Sequence, residues 1–152
     1  MYVVLYEPEI PQNTGNIIRM CANAGVRLIV IEPCGFALTD KNLKRAGLDY
    51  HDKACITQCH HWGHFLEVFT PQKIYAFSTK ATFNYANFHY KSDDFLLYGP
   101  ESRGLPAPIL ADALVQPVRI PMQANSRSMN LANTVSIGLF EALRQQDFPG
   151  CI

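Results

Sequence analysis

Three stretches of the chain set glycine or serine beside amides and cations in patterns suited to holding a ligand. In Pro11-Gln12-Asn13-Thr14-Gly15-Asn16-Ile17-Ile18-Arg19, a helix start would present amide donors to an anion, with Arg19 in its second turn. An arginine there suits a phosphate or a developing charge, or else it is an ordinary surface arginine. In Gly99-Pro100-Glu101-Ser102-Arg103-Gly104, a glycine lets the backbone approach a ligand closely. The run is not Gly-x-Gly-x-x-Gly and no Lys-Ser or Lys-Thr follows Gly104, so neither a dinucleotide fingerprint nor a phosphate-cradling loop is matched. Between Ile120 and Leu131, the residues Ser126-Arg127-Ser128-Met129-Asn130 can cap a helix or hold a polar ligand.

A fourth cluster, Cys55-Ile56-Thr57-Gln58-Cys59-His60-His61 with His64 behind it, carries the ligand types zinc prefers. Structural zinc sites draw two pairs from separated segments, and no second pair follows downstream, so no metal is expected. No Ser-His-Asp or Cys-His order stands out and no paired carboxylates flank the glycine loops, which argues against hydrolysis.

Alternating strand-like and helical patterns must position these loops. Tyr2 to Tyr6 reads as a buried strand ended by Pro8 and Pro11, and Ile17, Ile18, Cys21 and Ala24 follow with helical spacing. Asn13 or Thr14 would cap that helix and Gly25 would end it. Val26 to Glu32 is a second strand. Asp40 is read as capping a short basic helix, Lys41 to Leu48, and Trp62 to Phe69 as another helix with Phe65, Leu66 and Phe69 facing inward. Lys73 to Phe77, Asp94 to Tyr98 and Val115 to Ile120 complete five predicted strands. Phe83, Tyr85, Phe88 and Tyr90 alternate with polar residues, as in a half-buried edge strand or a stacking surface for bases. Leu105 to Leu114 is a helix or turn, and Asn130 to Gln146 a helix with Leu131, Val135, Leu139 and Leu143 on one face. Strand, loop, helix, strand units predict a parallel α/β sheet, whose post-strand loops should converge at one carboxyl edge to form one site.

Composition limits the partners. At 152 residues and 48% hydrophobic, one domain is expected. Thirteen Lys and Arg against thirteen Asp and Glu leave no global field, so any nucleic-acid site must be a local patch. The opening residues lack a basic n-region, no apolar run approaches a membrane span, and five scattered cysteines suit a reducing compartment, so a cytoplasmic protein is expected.

Taken together, the three loops resemble the SPOUT superfamily of S-adenosylmethionine-dependent RNA methyltransferases, in its ribose 2'-O-methylating branch. Leu5-Tyr6-Glu7-Pro8-Glu9-Ile10-Pro11, Asn13 to Arg19, Arg45-Ala46-Gly47-Leu48-Asp49-Tyr50-His51 and Ser126 to Asn130 are similar to the small members that modify the wobble nucleotide of tRNA, and the likeness covers nearly the whole chain. It implies a single domain over 1–152, an α/β parallel-sheet fold with a C-terminal trefoil knot, and a cofactor site lined by Phe77, Gly99, Glu101, Ile120, Ser128 and Met129. It also implies Arg19 and Asn130 as catalytic residues, Arg19 orienting the substrate phosphate and 2'-hydroxyl. The partners implied are the tRNA anticodon stem-loop and a second copy of the chain, with the apolar face of Leu131 to Leu143 partly a dimer surface. The implied reaction is 2'-O-methylation of nucleotide 34, cytidine or modified uridine, of leucine isoacceptors. Methylation of another RNA ribose, or RNA binding without turnover, are the alternatives. RNA would meet a local patch of Arg19, Lys41, Lys44, Arg45, Arg103 and Arg127. The closing helix departs from the family in Phe140 and Leu143, where tyrosine and tryptophan are usual.

Overall fold

The computed structural model describes residues 1–39, 41–42 and 55–152. Of the expected basic helix, Lys41 to Leu48, only Lys41 and Asn42 are described, both helical; its cap Asp40, its remainder and the Arg45 to His51 motif lie outside the described residues. Six strands, β1 (Tyr2–Tyr6), β2 (Arg27–Ile31), β3 (Ile56–Cys59), β4 (Ile74–Phe77), β5 (Phe95–Tyr98) and β6 (Val115–Val118), form one sheet in the order β3-β2-β1-β5-β4-β6. Every pairing is parallel. The helices are α1 (Pro11–Asn23), α2 (Trp62–Phe69), α3 (Ala107–Leu110) and α4 (Leu131–Arg144).

The central strands are apolar throughout because both faces are covered. Val3, Leu5, Leu28, Val30, Leu96 and Tyr98 pack with α1 and α4, while Val4, Ile29, Ile31, Phe95 and Leu97 pack with Phe65 of α2. From β1 the chain builds outward to β2 and β3. It returns on the other side as β4, β5 and β6, so the direction of build-up reverses between β1 and β5. Open α/β sheets bind ligands at the carboxyl ends of strands flanking such a reversal.

The structure corrects four expectations. Helix α1 begins at Pro11 after Ile10 with no side-chain cap, because a proline at the first helical position needs no amide partner. Asn13 and Thr14 therefore sit inside the helix, both buried. Gly25 ends it as expected, with φ +64°. Ile56–Cys59, within the Cys- and His-rich stretch, is a sixth strand on the sheet edge, where five were expected. The segment 82–90 is not a strand: it makes one bridge, Asn84 to Arg119, then a 3-10 turn over Tyr85–Asn87. Asn84 Oδ1 accepts from Ala86 N at 3.0 Å, offering the backbone a local partner in place of a ladder. Finally, the apolar face of α4 is core rather than dimer surface, with Val135, Leu139 and Ala142 fully buried. Among the described residues no helix is long and apolar enough to cross a membrane.

Candidate functional site: a cleft at the carboxyl edge

The loops after β1, β4, β5 and β6 meet around a cleft of about 450 Å³. That volume lies within the range of small-molecule sites. Phe77, Gly99, Glu101, Ile120, Ser128, Met129 and Asn130, seven of the eight site residues expected from sequence, line it. The eighth, Arg19, does not. It is exposed on α1, and helix geometry puts it about 9 Å further along the axis than Asn13, which does line the cleft.

The floor is aromatic. The rings of Phe77 and Tyr98 stack at 4.7 Å with an interplanar angle of 18°, beneath α4. Gly138 of α4 makes room for them, since a Cβ there would lie 2.6 Å from Phe77 Cζ and closer still to Tyr98 Oη. Burial holds the Tyr98 hydroxyl neutral, well above the ordinary tyrosine range. Its oxygen and Thr14 Oγ1 are buried side-chain atoms without a hydrogen-bond partner among the described residues. Gly99 carries the close approach on the wall, where a Cβ would meet Leu105 N at 2.5 Å and the Gly104 carbonyl carbon at 2.6 Å. The loop after β5 thus doubles back on itself.

A polar relay joins the loops. Glu101 accepts from Glu9 N at 2.9 Å, Ile10 N at 3.2 Å and Asn13 Nδ2 at 3.0 Å, so its carboxylate takes up the two backbone amides just before α1 and a side chain from its first turn. Asn13 Oδ1 in turn accepts from Asn130 Nδ2 at 2.9 Å. Asn130 Oδ1 caps α4 by accepting from Ala132 N at 2.8 Å and Asn133 N at 3.4 Å. Asn13, 7% exposed, is the bridge that sequence reasoning missed. Its signal was present, because Asn13, Ile17 and Cys21 fall at i, i+4 and i+8 on the buried stripe of α1, and a polar residue there needs partners.

A second clasp lies outside the relay. Glu9 accepts from Ser102 N at 2.8 Å and Ser102 Oγ at 2.7 Å, and Arg103 is ion-paired with both Glu9 and Glu7. Hydrogen bonds from the Ser102 hydroxyl and then its amide hold the Glu9 carboxyl below its ordinary range. Arg103, expected in the RNA patch, is thereby partly neutralised.

The zinc-like residues serve local structure. His61 Nδ1 accepts from His64 N at 3.1 Å to cap α2, His64 Nδ1 accepts from His60 N at 3.1 Å, and His60 Nδ1 lies 3.1 Å from Glu32. Among the described residues no group of three or more His, Cys, Asp or Glu is arranged to hold a metal. Cys21, Cys34, Cys55, Cys59 and Cys151 are thiols rather than disulfides.

Comparison with known proteins agrees with this architecture. The chain is 55% identical, over 99% of its length and 96% of the relative's, to a tRNA (cytidine(34)-2'-O)-methyltransferase of Escherichia coli K12. A solved structure concerned with "2-OH methylation of C/U34 on tRNA" superposes with a TM-score of 0.88 at 41% identity, covering 96% of this chain and 95% of that one. An AdoMet-bound rRNA methyltransferase from Sinorhizobium meliloti superposes at 0.81 with 28% identity, over 94% of this chain and 55% of the other. The profile of the SpoU rRNA Methylase family matches residues 1–140, a span that runs from β1 through the cleft loops into α4. A parallel sheet reversing between β1 and β5, with its loops clasped at that point, is thus the form taken here by a member of the SpoU methylase family of SPOUT methyltransferases.

Proposed function

We propose that this chain transfers the methyl group of S-adenosylmethionine to the ribose 2'-hydroxyl of nucleotide 34 of tRNA, cytidine or modified uridine, the expected substrates being leucine isoacceptors. The observation that carries the reading is the gathering of Phe77, Gly99, Glu101, Ile120, Ser128, Met129 and Asn130 around one cleft, in a chain 55% identical over 99% of its length to a tRNA (cytidine(34)-2'-O)-methyltransferase. The cleft suits the cofactor: Phe77 and Tyr98 at its base, a loop closed tightly on itself at Gly99, and Ser128 and Thr134 as polar walls. When bound, S-adenosylmethionine supplies an electrophilic methyl group on a sulfonium leaving group.

The chain's own residues then have to position a ribose hydroxyl in line and help its proton leave. Arg19 is read as the group that meets the RNA. A guanidinium offers five donors and no acceptor, so it can orient a phosphate and the hydroxyl but cannot itself take the proton. The proton passes to the phosphate or to water. Asn130 is read as a positioning residue, because both ends of its amide are engaged by Asn13 and by the first amides of α4.

The working unit is taken to be a homodimer acting in the cytoplasm. Arg19 lies outside the cleft of its own chain, and α1 and α4 adjoin, Ser136 Oγ lying 3.0 Å from Met20 Sδ, with Phe140 45% exposed one turn further along α4. Apposing these two helices is the arrangement that would carry one protomer's Arg19 to its partner's cleft. The whole chain, 1–152, is read as one domain whose segment after β6 threads the family's knot. In support, the backbone of Arg119 is gripped by Phe83 and Tyr85 before the chain turns back as α4.

The test is incubation of the protein with labelled S-adenosylmethionine and tRNA from a strain lacking the modification, followed by nucleoside mapping. A 2'-O-methyl group at position 34 is expected. Label at another ribose would move the substrate, and binding of RNA without incorporation would leave a non-catalytic module.

A further inference from the structure

Charge is unevenly distributed over a chain whose net charge is +0. Residues 73–91 hold Lys73, Lys80 and Lys91 and no Asp or Glu, and residues 115–131 hold Arg119 and Arg127, again with no carboxylate. The two stretches are neighbours in space, since β4 pairs with β6 and Asn84 bridges to Arg119. At the carboxyl edge they bring Lys80, Arg119 and Arg127 to the margin of the cleft, to which they contribute Ser78, Thr79, Lys80, Ile120 and Ser128 among others, while Lys73 and Lys91 stand at the amino ends of β4 and β5 beside Asp94. Glu141, on the adjoining helix, is engaged by Arg144 at 2.9 and 3.0 Å.

On this margin Phe83 is 59% exposed, a large apolar ring in water three residues from cleft-lining Lys80. Its backbone is fixed: Phe83 O accepts from Arg119 N at 2.8 Å, and Tyr85 N donates to Arg119 O at 3.0 Å. The ring meets Phe88 at a steep angle, centroids 6.3 Å apart at 81°, and most of it stays in water. Lys73 Nζ lies 6.0 Å from the centre of Phe88 and 4.9 Å from that of Tyr75, so a cation is anchored behind the platform. A rigid exposed ring set among cations is the arrangement by which proteins hold unpaired bases, stacking supplying affinity and the cations meeting phosphates.

We propose that Phe83 is a stacking platform for an unpaired base of the RNA substrate, next to the nucleotide being methylated. The proposal rests on the reading of the cleft as an RNA ribose methyltransferase site and adds to it the residue that holds the substrate strand.

The test measures binding of an anticodon stem-loop RNA to wild type, Phe83→Ala and Phe83→Trp, with S-adenosylmethionine affinity, thermal midpoint and sedimentation recorded alongside. Loss of one stacked base should raise the RNA dissociation constant roughly 5- to 150-fold in Phe83→Ala. The tryptophan variant should restore it, with cofactor affinity and oligomeric size unaltered. Unchanged RNA binding in Phe83→Ala overturns the platform. So does a tryptophan variant as weak as the alanine one, or a change in sedimentation, which would make Phe83 a contact between copies of the chain. A wild-type protein that neither binds nor methylates RNA removes the methyltransferase reading and the platform together. An active wild type matched by Phe83→Ala removes the platform alone.

Discussion

The hydroxyl of Tyr98 should cost the protein stability. It lies under α4 at Gly138, wholly buried, with no partner among the described residues. Leaving such a group unsatisfied costs about 1–3 kcal/mol of desolvation. Tyr98→Phe keeps the ring on Phe77 and removes only that oxygen, so at the lower limit it should gain about 1 kcal/mol, or roughly 2–4 °C in thermal midpoint for a chain of this length. Gly138→Ala tests the same contact from the other side. Alanine gains about 1 kcal/mol of helix propensity over glycine, whereas a methyl group forced into a filled core costs about 1–3 kcal/mol. The new carbon would lie 2.6 and 2.9 Å from Phe77 Cζ and Cε1 and nearer still to Tyr98 Oη, so a net loss is expected. Removing the hydroxyl relieves the tightest of those contacts. The double variant should therefore be more stable than the two single changes predict when added, by at least about 0.5 kcal/mol. Urea and thermal unfolding of the four proteins measure this, and calorimetry with S-adenosylmethionine follows the floor of the cleft, which Gly138→Ala should disturb through Phe77. A fall in stability for Tyr98→Phe, or strict additivity in the cycle, would refute the packing argument.

Three further outcomes are expected. Asn130→Ala removes the α4 cap, worth about 1 kcal/mol, and strands Asn13 Oδ1, whereas Asn130→Asp still caps but cannot donate to Asn13. Cofactor affinity should fall in both, with the larger loss of thermal stability in alanine; an aspartate variant with wild-type affinity would assign Asn130 to capping alone. Glu9 has a folded-state pKa below its unfolded value of about 4.5, so its clasp on Ser102 is fully present above that pH and is lost as pH falls through the lower folded value. S-adenosylmethionine affinity should be flat above about 4.5 and weaken only as pH falls through that lower folded value, and Glu9→Gln should lack that dependence; an identical pH profile in both would remove the clasp from the site. If Arg19 serves the partner's cleft, mixing Arg19→Ala with Gly99→Val should regain about a quarter of wild-type turnover, because half of randomly assorted dimers each hold one complete site. No recovery above the separate variants would return Arg19 to its own chain.

How much was legible in the sequence depends on what each residue was doing. The apolar runs of β1, β2 and β5 are buried on both faces, so composition alone marks them, and the switch to helical spacing at Ile17 and Leu131 marks α1 and α4. Ile56–Cys59 escaped notice because an edge strand need bury only part of itself, and Thr57 and Gln58 are exposed. The aromatic alternation of 83–90 suggested a strand because period two also arises when a turn packs alternate rings: Phe88 and Tyr90 lie against Tyr75 at 5.5 and 4.7 Å. Cleft residues were found through family likeness, since the contacts that unite them span 88 to 117 residues of sequence and no local pattern encodes those.

Glu101 illustrates the limit of that likeness, and it can be put to a decisive measurement. Sequence places it in the cofactor site, and it does line the cleft, but its two oxygens accept three hydrogen bonds from Glu9, Ile10 and Asn13. A carboxylate so occupied acts as a clamp between loops. A carboxylate facing the sulfonium would instead recognise its charge, with an interaction of about 4 kcal/mol at 4 Å and an effective dielectric of about 20. The two roles separate in Glu101→Gln. The amide cannot accept all three donors, so a clamp predicts that affinity for S-adenosylmethionine and for its neutral demethylated product fall together, their ratio unchanged. Direct recognition predicts that the ratio collapses, by orders of magnitude at the full Coulomb value. Calorimetric titration of both ligands into both proteins gives the ratio, and a selective loss of the charged ligand would show that the clamp is not what Glu101 contributes.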